Sequence, residues 1–149
     1  MATLTALSLK GRALRLLGAR EHSRAELERK LAAHEEEPGS LARTLDELQA
    51  KGFLNEQRVV ESLVHRRAAR LGTSRIRQEL SSRGLPAQAV QDAVEQLRAT
   101  ELDRAREVWR KKFGTPPADA AERAKQMRFL AGRGFAGDVI RRVVGGEED

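Results

Sequence analysis

The sequence predicts an all-α fold of three tandem three-helix repeats, with about nine helices in all. Three observations indicate it. The 149 residues are rich in the strong helix formers Ala, Leu, Arg and Glu, while Tyr is absent and aromatic residues make up only 3%. Helix-capping and helix-stop residues recur along the chain. Hydrophobic residues also recur with a period of about fifty residues, which is typical of repeat architectures.

The period follows from hydrophobic positions that match in three copies. Taking Leu31, Leu80 and Leu130 as anchors, hydrophobic residues stand seventeen positions before, ten after and fourteen after each anchor. These are Leu14, Leu63 and Phe113, then Leu41, Val90 and Ile140, then Leu45, Val94 and Val144. An Arg-Gly-hydrophobe triplet follows the second and third anchors. The first copy has the longer loop EEEPGS near this point.

The first predicted repeat spans residues 1–57. Its first helix carries the segment LKGRALRLLGAR. The second begins at a capping box, in which Ser23 and Glu26 satisfy free amide groups of the first turn. The third carries a stripe of leucines and ends at Gly52, a residue suited to the left-handed conformation of a helix stop.

The second predicted repeat spans residues 58–101. Its first helix ends at Gly72, and Thr73 or Ser74 can cap the next one. Pro86 is placed for the first turn of the third helix, since a proline there loses no hydrogen bond.

The third predicted repeat spans residues 102–149. Thr100 and Asp103 resemble a capping box for a helix that runs to Gly114. The segment TPPAD interrupts the chain, because two prolines cannot lie inside a helix. Two further helices and a frayed acidic tail, GGEED, complete the repeat.

Units of this size have small cores and are marginal alone. Stacking end to end would bury their remaining apolar surface. The sequence therefore predicts an elongated, curved rod.

The sequence offers no catalytic chemistry. Cysteine is absent, and no phosphate-binding glycine loop follows a predicted strand. His22, His34 and His65 are scattered and predicted to be surface or half-buried residues. The three successive glutamates of EEEPGS are predicted to form a solvated loop rather than a metal site. We predict a protein that is not an enzyme and has no cofactor or metal. With no signal peptide or membrane span in the sequence, we expect a cytoplasmic protein.

Positive charge is concentrated in the later two thirds of the chain. The net charge is +6, yet residues 1–57 carry equal numbers of basic and acidic side chains, so the excess lies in residues 58–149. Arginine outnumbers lysine, and a guanidinium binds phosphate or carboxylate through two hydrogen bonds. Any single cluster of this kind is more often a solvated helix face than a site. Exposed aromatic residues for stacking on bases are scarce, which favours contact with a DNA backbone or a protein surface.

Four segments in order resemble the RecX regulatory proteins, modulators of the RecA recombinase. They are REHSRAEL (20–27), LQAKGFLNEQR (48–58), RLGTSRIRQELSSRGL (70–85) and FLAGRGFAGDVI (129–140), and the similarity extends from about Ser8 to Val144. Glu56 stands where the family more often has Asp, a change that still suits a helix N-terminus.

The resemblance implies a non-enzymatic regulator that binds the RecA–single-stranded-DNA filament along its groove. Such a protein inhibits filament extension, ATP hydrolysis, strand exchange and coprotease activity, and so acts on homologous recombination, DNA repair and the SOS response. We expect weak contact with single-stranded or double-stranded DNA, no membrane association and a monomer.

The candidate contact residues are taken from the basic clusters of the later repeats. They are Arg66, Arg67, Arg70, Arg75, Arg77, Arg83, Lys111, Lys112, Arg128 and Arg133. For Arg20, Arg58, Gly72, Gly84 and Gly134, roles in capping and packing are favoured. Two alternatives stay open, a general nucleic-acid-binding helical protein that coats DNA and a helical scaffold for an unrelated partner.

Overall fold

The computed structural model describes residues 7–146, and every regular element in that range is helical. The α-helices are α1 (Leu9–Ala19), α2 (Arg24–Leu31), α3 (Ser40–Ala50), α4 (Glu56–Arg67), α5 (Thr73–Ser82), α6 (Ala87–Lys112), α7 (Ala120–Gly132) and α8 (Gly137–Gly145). A short 3₁₀ helix, Ala32–His34, follows α2. The predicted all-α class is confirmed. The predicted frayed tail lies partly at residues 147–149, outside the described residues.

One predicted helix boundary is wrong. Thr100 does not cap a new helix, because it lies inside the 26-residue helix α6. Its hydroxyl donates to the carbonyl of Leu97 at 3.2 Å, a bond to the preceding turn. No Gly or Pro occurs within α6, and its residues are mostly strong helix formers, so nothing ends the helix at this point. The described residues therefore form eight α-helices, and α6 serves both the second and the third repeat.

The chain folds as two compact units. The first contains the chain up to Ser62 together with residues 83–85, and the second contains residues 63–82 and the chain from Pro86 onward. In the first unit α1, α2 and α3 pack on one another, and in the second α5 packs on α6 while α6, α7 and α8 pack together.

The repeat frame correctly identifies the hydrophobic core. The anchors Leu31, Leu80 and Leu130 are at most 2% exposed. The matched positions are buried too, apart from the half-buried Leu14 and Phe113. The core of the first unit comprises Ala13, Leu27, Leu31, Leu41, Leu45, Leu48 and Leu54. A core of the second comprises Ala105, Leu130, Phe135, Ile140, Val143 and Val144.

The predicted capping box at the start of α2 is present, and its serine also binds the turn at residues 83–85. The Ser23 hydroxyl accepts the amide proton of Glu26 at 3.1 Å and donates its own proton to the carbonyl oxygen of Arg83. Gly84, next in the chain, has a φ of 70°. A side-chain Cβ on Gly84 would lie 2.6 Å from the Cβ of Ala25. The turn at residues 83–85 therefore packs directly on the start of α2, within the first unit.

A corresponding junction occurs in the second unit, where a backbone amide replaces the serine hydroxyl as the hydrogen-bond donor. The amide of Gly72, just before α5, donates to the carbonyl of Arg133 at 2.7 Å, and Ser74 donates to Gly134 at 3.3 Å. Gly134 has a φ of 92°, as expected for a left-handed helix stop. Gly72 has no positive φ, so its role is not that of a left-handed stop. A Cβ on Gly72 would overlap the backbone of Gly134, so only glycine permits this approach.

Glu26 is a buried carboxylate at the first of these junctions. It accepts hydrogen bonds from the Ser23 amide at 3.1 Å and from the Arg20 guanidinium at 2.7 Å, and Arg83 Nη1 lies 3.8 Å away. Burial alone would raise the pKa of Glu26. The hydrogen bonds from Arg20 and Ser23 and the charges of the two arginines outweigh burial, so the pKa lies below its usual value.

The prediction that all three histidines are surface or half-buried is wrong for His22. This residue is 1% exposed, its Nδ1 is 2.9 Å from the carbonyl of Arg20, and its Nε2 is 3.0 Å from the Lys30 ammonium. Burial is the largest of the causes that lower the pKa of His22. Its sequence position, one residue before the capping serine, gave no sign of this environment.

No helix in the described part of the chain is long and apolar enough to cross a membrane.

Gly72→Ala is expected to lower the free energy of unfolding by about 3 kcal/mol or more, because the new methyl group overlaps the backbone of Gly134. Chemical denaturation followed by circular dichroism measures the change. Gly18→Ala is the control, since Gly18 lies in α1 with no atom near its potential Cβ, and it should be neutral or slightly stabilising. Equal effects of the two substitutions would contradict the close approach at Gly72.

Glu26→Gln is expected to destabilise the protein by about 1–2 kcal/mol at neutral pH, because the buried charge-assisted bond to Arg20 is weakened. A folded-state pKa below the unfolded one stabilises the fold above about pH 4.3, and that contribution disappears as pH falls through the folded pKa. The stability difference between Glu26→Gln and the parent should therefore shrink in acid. Urea midpoints at several pH values measure it, with the exposed Glu36→Gln as control. A difference that stays constant into strong acid would refute the lowered pKa.

Candidate arginine-lined groove

The second unit contains a groove of about 540 Å³ between the α4–α5 turn and the end of α7. We call it the arginine-lined groove. Its lining residues are Arg67, Arg70, Leu71, Arg75, Gln78, Glu79, Ser82 and Arg133. Four guanidinium groups thus face one carboxylate, which gives the groove a surplus of positive charge.

Two of the four arginines are held by the fold. Arg67 donates two hydrogen bonds of 3.2 Å to the two carboxylate oxygens of Glu79, so α4 and α5 are joined and the charge of Arg67 is balanced. Arg75 donates to the carbonyl of Gly132 at 2.7 Å, at the end of α7. The Cβ and Cγ of Arg75 also lie against Gly134, so its stem is part of the packed junction.

Arg133 and Lys112 lie over one aromatic ring. The Arg133 guanidinium carbon is 5.0 Å from the centre of the Phe129 ring, and the Lys112 ammonium is 5.3 Å from it. Phe113 meets the same ring edge-on, with 5.5 Å between centres. Cations in such positions are attracted by the ring quadrupole, so Phe129 brings two of the predicted contact residues together.

Arg70 and Arg77 are exposed and differ from the arginines just described. Within residues 7–146, neither side chain has a hydrogen-bond or ion-pair partner. Arg70 lines the arginine-lined groove. Arg77 lines an adjoining depression of about 770 Å³, and the two share Arg75, Gln78 and Ser82. Their guanidinium donors are available for an anionic ligand.

Arg104 on α6 binds the α4–α5 turn, which lines the groove. Sequence analysis did not identify Arg104 as a functional or structural residue. All five of its N–H groups are used, in bonds to the carbonyls of Ala68, Leu71 and Leu97 and to the hydroxyls of Thr73 and Thr100. Desolvation lowers the pKa of Arg104, and the nearby Glu101 carboxylate opposes that effect.

Glu101, on the same helix as Arg104, also binds the start of α5. It is 5% exposed and accepts the amide proton of Thr73 at 2.7 Å, which caps α5 from another helix. Together Glu101 and Arg104 anchor the α4–α5 turn on α6. The predicted caps of α5, Thr73 and Ser74, are thereby supplemented by a residue far away in sequence.

The ten predicted contact residues divide into groups. Arg67, Arg70, Arg75 and Arg133 line the groove, Arg77 adjoins it, and Lys112 joins Arg133 through Phe129. Arg83 belongs to the first unit, where it faces Glu26. Arg66, Lys111 and Arg128 are exposed but are not among the lining residues, and Lys111 lies 3.9 Å from Glu107.

The predicted structural roles of Arg20 and Arg58 fit the first unit. Arg58 donates to the carbonyls of Gly52 and Phe53 at 3.1 Å each and pairs with Glu21. Among residues 7–146 no group of acidic residues or histidines could hold a metal ion. The surplus of guanidinium groups in the arginine-lined groove suits the binding of an anionic group such as a phosphate or a carboxylate.

Comparison with known proteins adds family information. Residues 10–48, 55–94 and 99–144 match, in order, the family models of the RecX first, second and third three-helix domains. The regulatory protein RecX of Leptothrix cholodnii is 62% identical over 138 residues, covering 93% of this chain and 88% of that protein. The regulatory protein RecX of Ralstonia nicotianae is 50% identical over 142 residues, with 95% and 89% covered.

The fold is also similar to solved structures. The crystal structure of RecX from Lactobacillus salivarius superimposes with a TM-score of 0.77 at 18% identity and covers 93% of each chain. A crystal structure of another regulatory protein RecX gives a TM-score of 0.70 at 16% identity, with 99% of this chain and 83% of that one covered. These similarities confirm a fold of three tandem three-helix repeats.

Arg104→Lys is expected to lower the free energy of unfolding by about 2–3 kcal/mol, because an ammonium cannot replace five forked donors and leaves carbonyls unpaired. Thermal and urea denaturation measure the change. Arg98→Lys is the matched control, since Arg98 is exposed on the same helix, and it should be neutral. If both variants unfold alike, Arg104 does not anchor the turn.

Proposed function

This chain belongs to the RecX family of regulatory proteins, and from that premise we propose that it is a non-enzymatic regulator of the RecA–single-stranded-DNA filament. It binds along the filament groove and inhibits filament extension, ATP hydrolysis, strand exchange and coprotease activity. Its site of action is the cytoplasm, where RecA filaments form.

The observation that carries this proposal is the surplus of guanidinium groups in the arginine-lined groove. The charge of Arg67 is balanced by Glu79, whereas none of the guanidinium donors of Arg70 is used within the described residues. Arg77 lines the adjoining depression, and the Arg133 guanidinium lies over the Phe129 ring. A filament of protein and DNA offers both carboxylates and phosphates at close spacing. Guanidinium groups bind either through paired hydrogen bonds, so the groove suits such a surface.

The contact surface that we propose lies on the second unit and includes the arginine-lined groove. Its residues are Arg66, Arg67, Arg70, Arg75, Arg77, Lys111, Lys112, Arg128 and Arg133, whereas the predicted contact residue Arg83 faces Glu26 in the first unit. Each contact is weak alone. A monomer of three repeats would contact more than one RecA protomer at once, and linked weak contacts favour a polymer over free subunits.

Replacing Arg70 and Arg77 together with Glu is expected to raise the concentration for half-inhibition of DNA-dependent ATP hydrolysis by RecA about ten-fold, because two donor groups become repulsive. Neither side chain has a partner within the described residues, so melting should stay unchanged. The parent should inhibit well below one copy per RecA protomer.

Arg98→Glu is the matched control, because it removes an exposed arginine of the second unit that does not line the groove. It should inhibit like the parent. Full inhibition by the double variant would refute the groove as the contact surface, and no inhibition by the parent at equimolar RecA would refute the function. A protein that merely coats DNA would instead bind DNA alone tightly, with a steep salt dependence.

A further inference from the structure

The arginine-lined groove carries more positive charge than a single carboxylate can neutralise. Its charged lining residues are Arg67, Arg70, Arg75, Arg133 and Glu79, so four positive charges and one negative charge leave a surplus of three. A carboxylate ion brings one negative charge and two oxygen atoms. An Asp or Glu side chain from a partner would therefore leave two positive charges unbalanced, whereas a compact anion with about three negative charges matches the groove.

The groove also has unused hydrogen-bond donors on three of the segments that line it. Arg70 in the α4–α5 turn and Gln78 on α5 have no side-chain hydrogen-bond partner within residues 7–146. Arg75 uses one of its five N–H groups, in its bond to the end of α7. Arg133, at that end, makes no side-chain hydrogen bond in the described part of the chain. An anion with several oxygen atoms can therefore bind without breaking an existing bond.

Two of these arginines are held in position before any ligand binds. The stem of Arg75 packs against Gly134, and its Nη1 lies 2.7 Å from the carbonyl oxygen of Gly132. The guanidinium carbon of Arg133 lies 5.0 Å from the centre of the Phe129 ring. Side chains that are already fixed lose less conformational entropy when a ligand binds, so these contacts favour binding.

The lining of the groove favours phosphate groups over other anions of the same charge. A diphosphate has several terminal oxygen atoms on two linked phosphate groups, and a guanidinium binds such oxygens through paired hydrogen bonds. The volume of about 540 Å³ lies within the range of small-molecule sites. Among the lining residues, all of them described, none is aromatic and Leu71 is the one aliphatic residue. The groove therefore offers no ring on which a nucleobase could stack, and the phosphate groups are the part recognised.

We propose that the arginine-lined groove binds a free diphosphate, either inorganic pyrophosphate or the phosphate chain of a nucleoside diphosphate. Arg70, Arg75 and Arg133 bind its oxygen atoms, while Arg67 stays paired with Glu79. This binding requires neither RecA nor DNA. A bound diphosphate withdraws the same guanidinium donors from the filament and so relieves inhibition, a consequence that rests on the proposed function.

Calorimetric titration of the full chain with inorganic pyrophosphate, in the absence of magnesium, tests the proposal. The parent should bind one equivalent. Arg70→Gln should raise the dissociation constant about ten-fold, because it removes a charge-assisted pair of hydrogen bonds. Glu79→Gln should lower the dissociation constant about three-fold or more, because it removes the one carboxylate and releases the donors of Arg67. Circular dichroism confirms that each variant is folded. No saturable binding by the parent, or weaker binding by folded Glu79→Gln, would overturn the proposal.

Arg98→Gln is the matched control, because it removes the same charge from an exposed residue of the second unit that does not line the groove. It should bind pyrophosphate like the parent. If Arg98→Gln and Arg70→Gln weaken binding equally, the affinity reports net charge and the proposal is wrong.

Two further ligands identify the anion that the groove prefers. Citrate carries about three negative charges at neutral pH, as pyrophosphate does, but on carboxylates. Citrate that binds as tightly as pyrophosphate would overturn the preference for phosphate. An oligonucleotide of four thymidines has three phosphodiester groups, and its tighter, Arg70-dependent binding would assign the groove to a DNA backbone and overturn the proposal. None of these outcomes refutes the proposed function, because RecA is absent from the titrations.

Discussion

The close approach between the Arg-Gly-hydrophobe turn and the start of a preceding helix is the contact on which the rest of the structure depends. In the second unit the amide of Gly72 reaches the carbonyl of Arg133 with no room for a side chain between them. In the first unit the hydroxyl of Ser23 makes the corresponding bond to Arg83. Because backbone meets backbone, the start of α5 and the end of α7 have one possible spacing. That spacing places Arg75 beside Arg133 and creates the groove.

The Arg-Gly-hydrophobe turn occurs at both junctions, but the arginine of the turn makes different contacts in each. Arg83 turns its side chain toward the buried carboxylate Glu26, where it contributes to the stability of the first unit. Arg133 lies over Phe129 instead and lines the groove. The same turn therefore leaves its arginine on the surface of a groove in one copy and directs it to a buried carboxylate in the other. Among the described residues no carboxylate forms an ion pair with Arg133, whose guanidinium lies over Phe129.

Sequence reasoning recovered the core and missed contacts between residues distant in the chain. The anchors such as Leu80 were predictable, because burial of a helix face imposes a periodic pattern on the sequence. The continuity of α6 was missed because Thr100 and its neighbours resemble a cap, whereas a long run without Gly or Pro favours continuation. The five bonds of Arg104 and the burial of His22 have no local signature, since their partners are brought near only by folding. The sequence predicted ten basic contact residues and no groove; four of the ten line it, and Glu79 balances the charge of one of these, Arg67.

The regulation that we propose for this surface requires several modest contacts rather than one strong one, because the donors of Arg70 and Arg77 are solvated before binding. The most direct test is the length of fluorescent RecA filaments on single-stranded DNA, imaged over time after the protein is added. The account predicts net shortening at concentrations well below that of RecA. Filaments that keep their length and growth rate at equimolar protein, while the protein coats bare DNA, would contradict it.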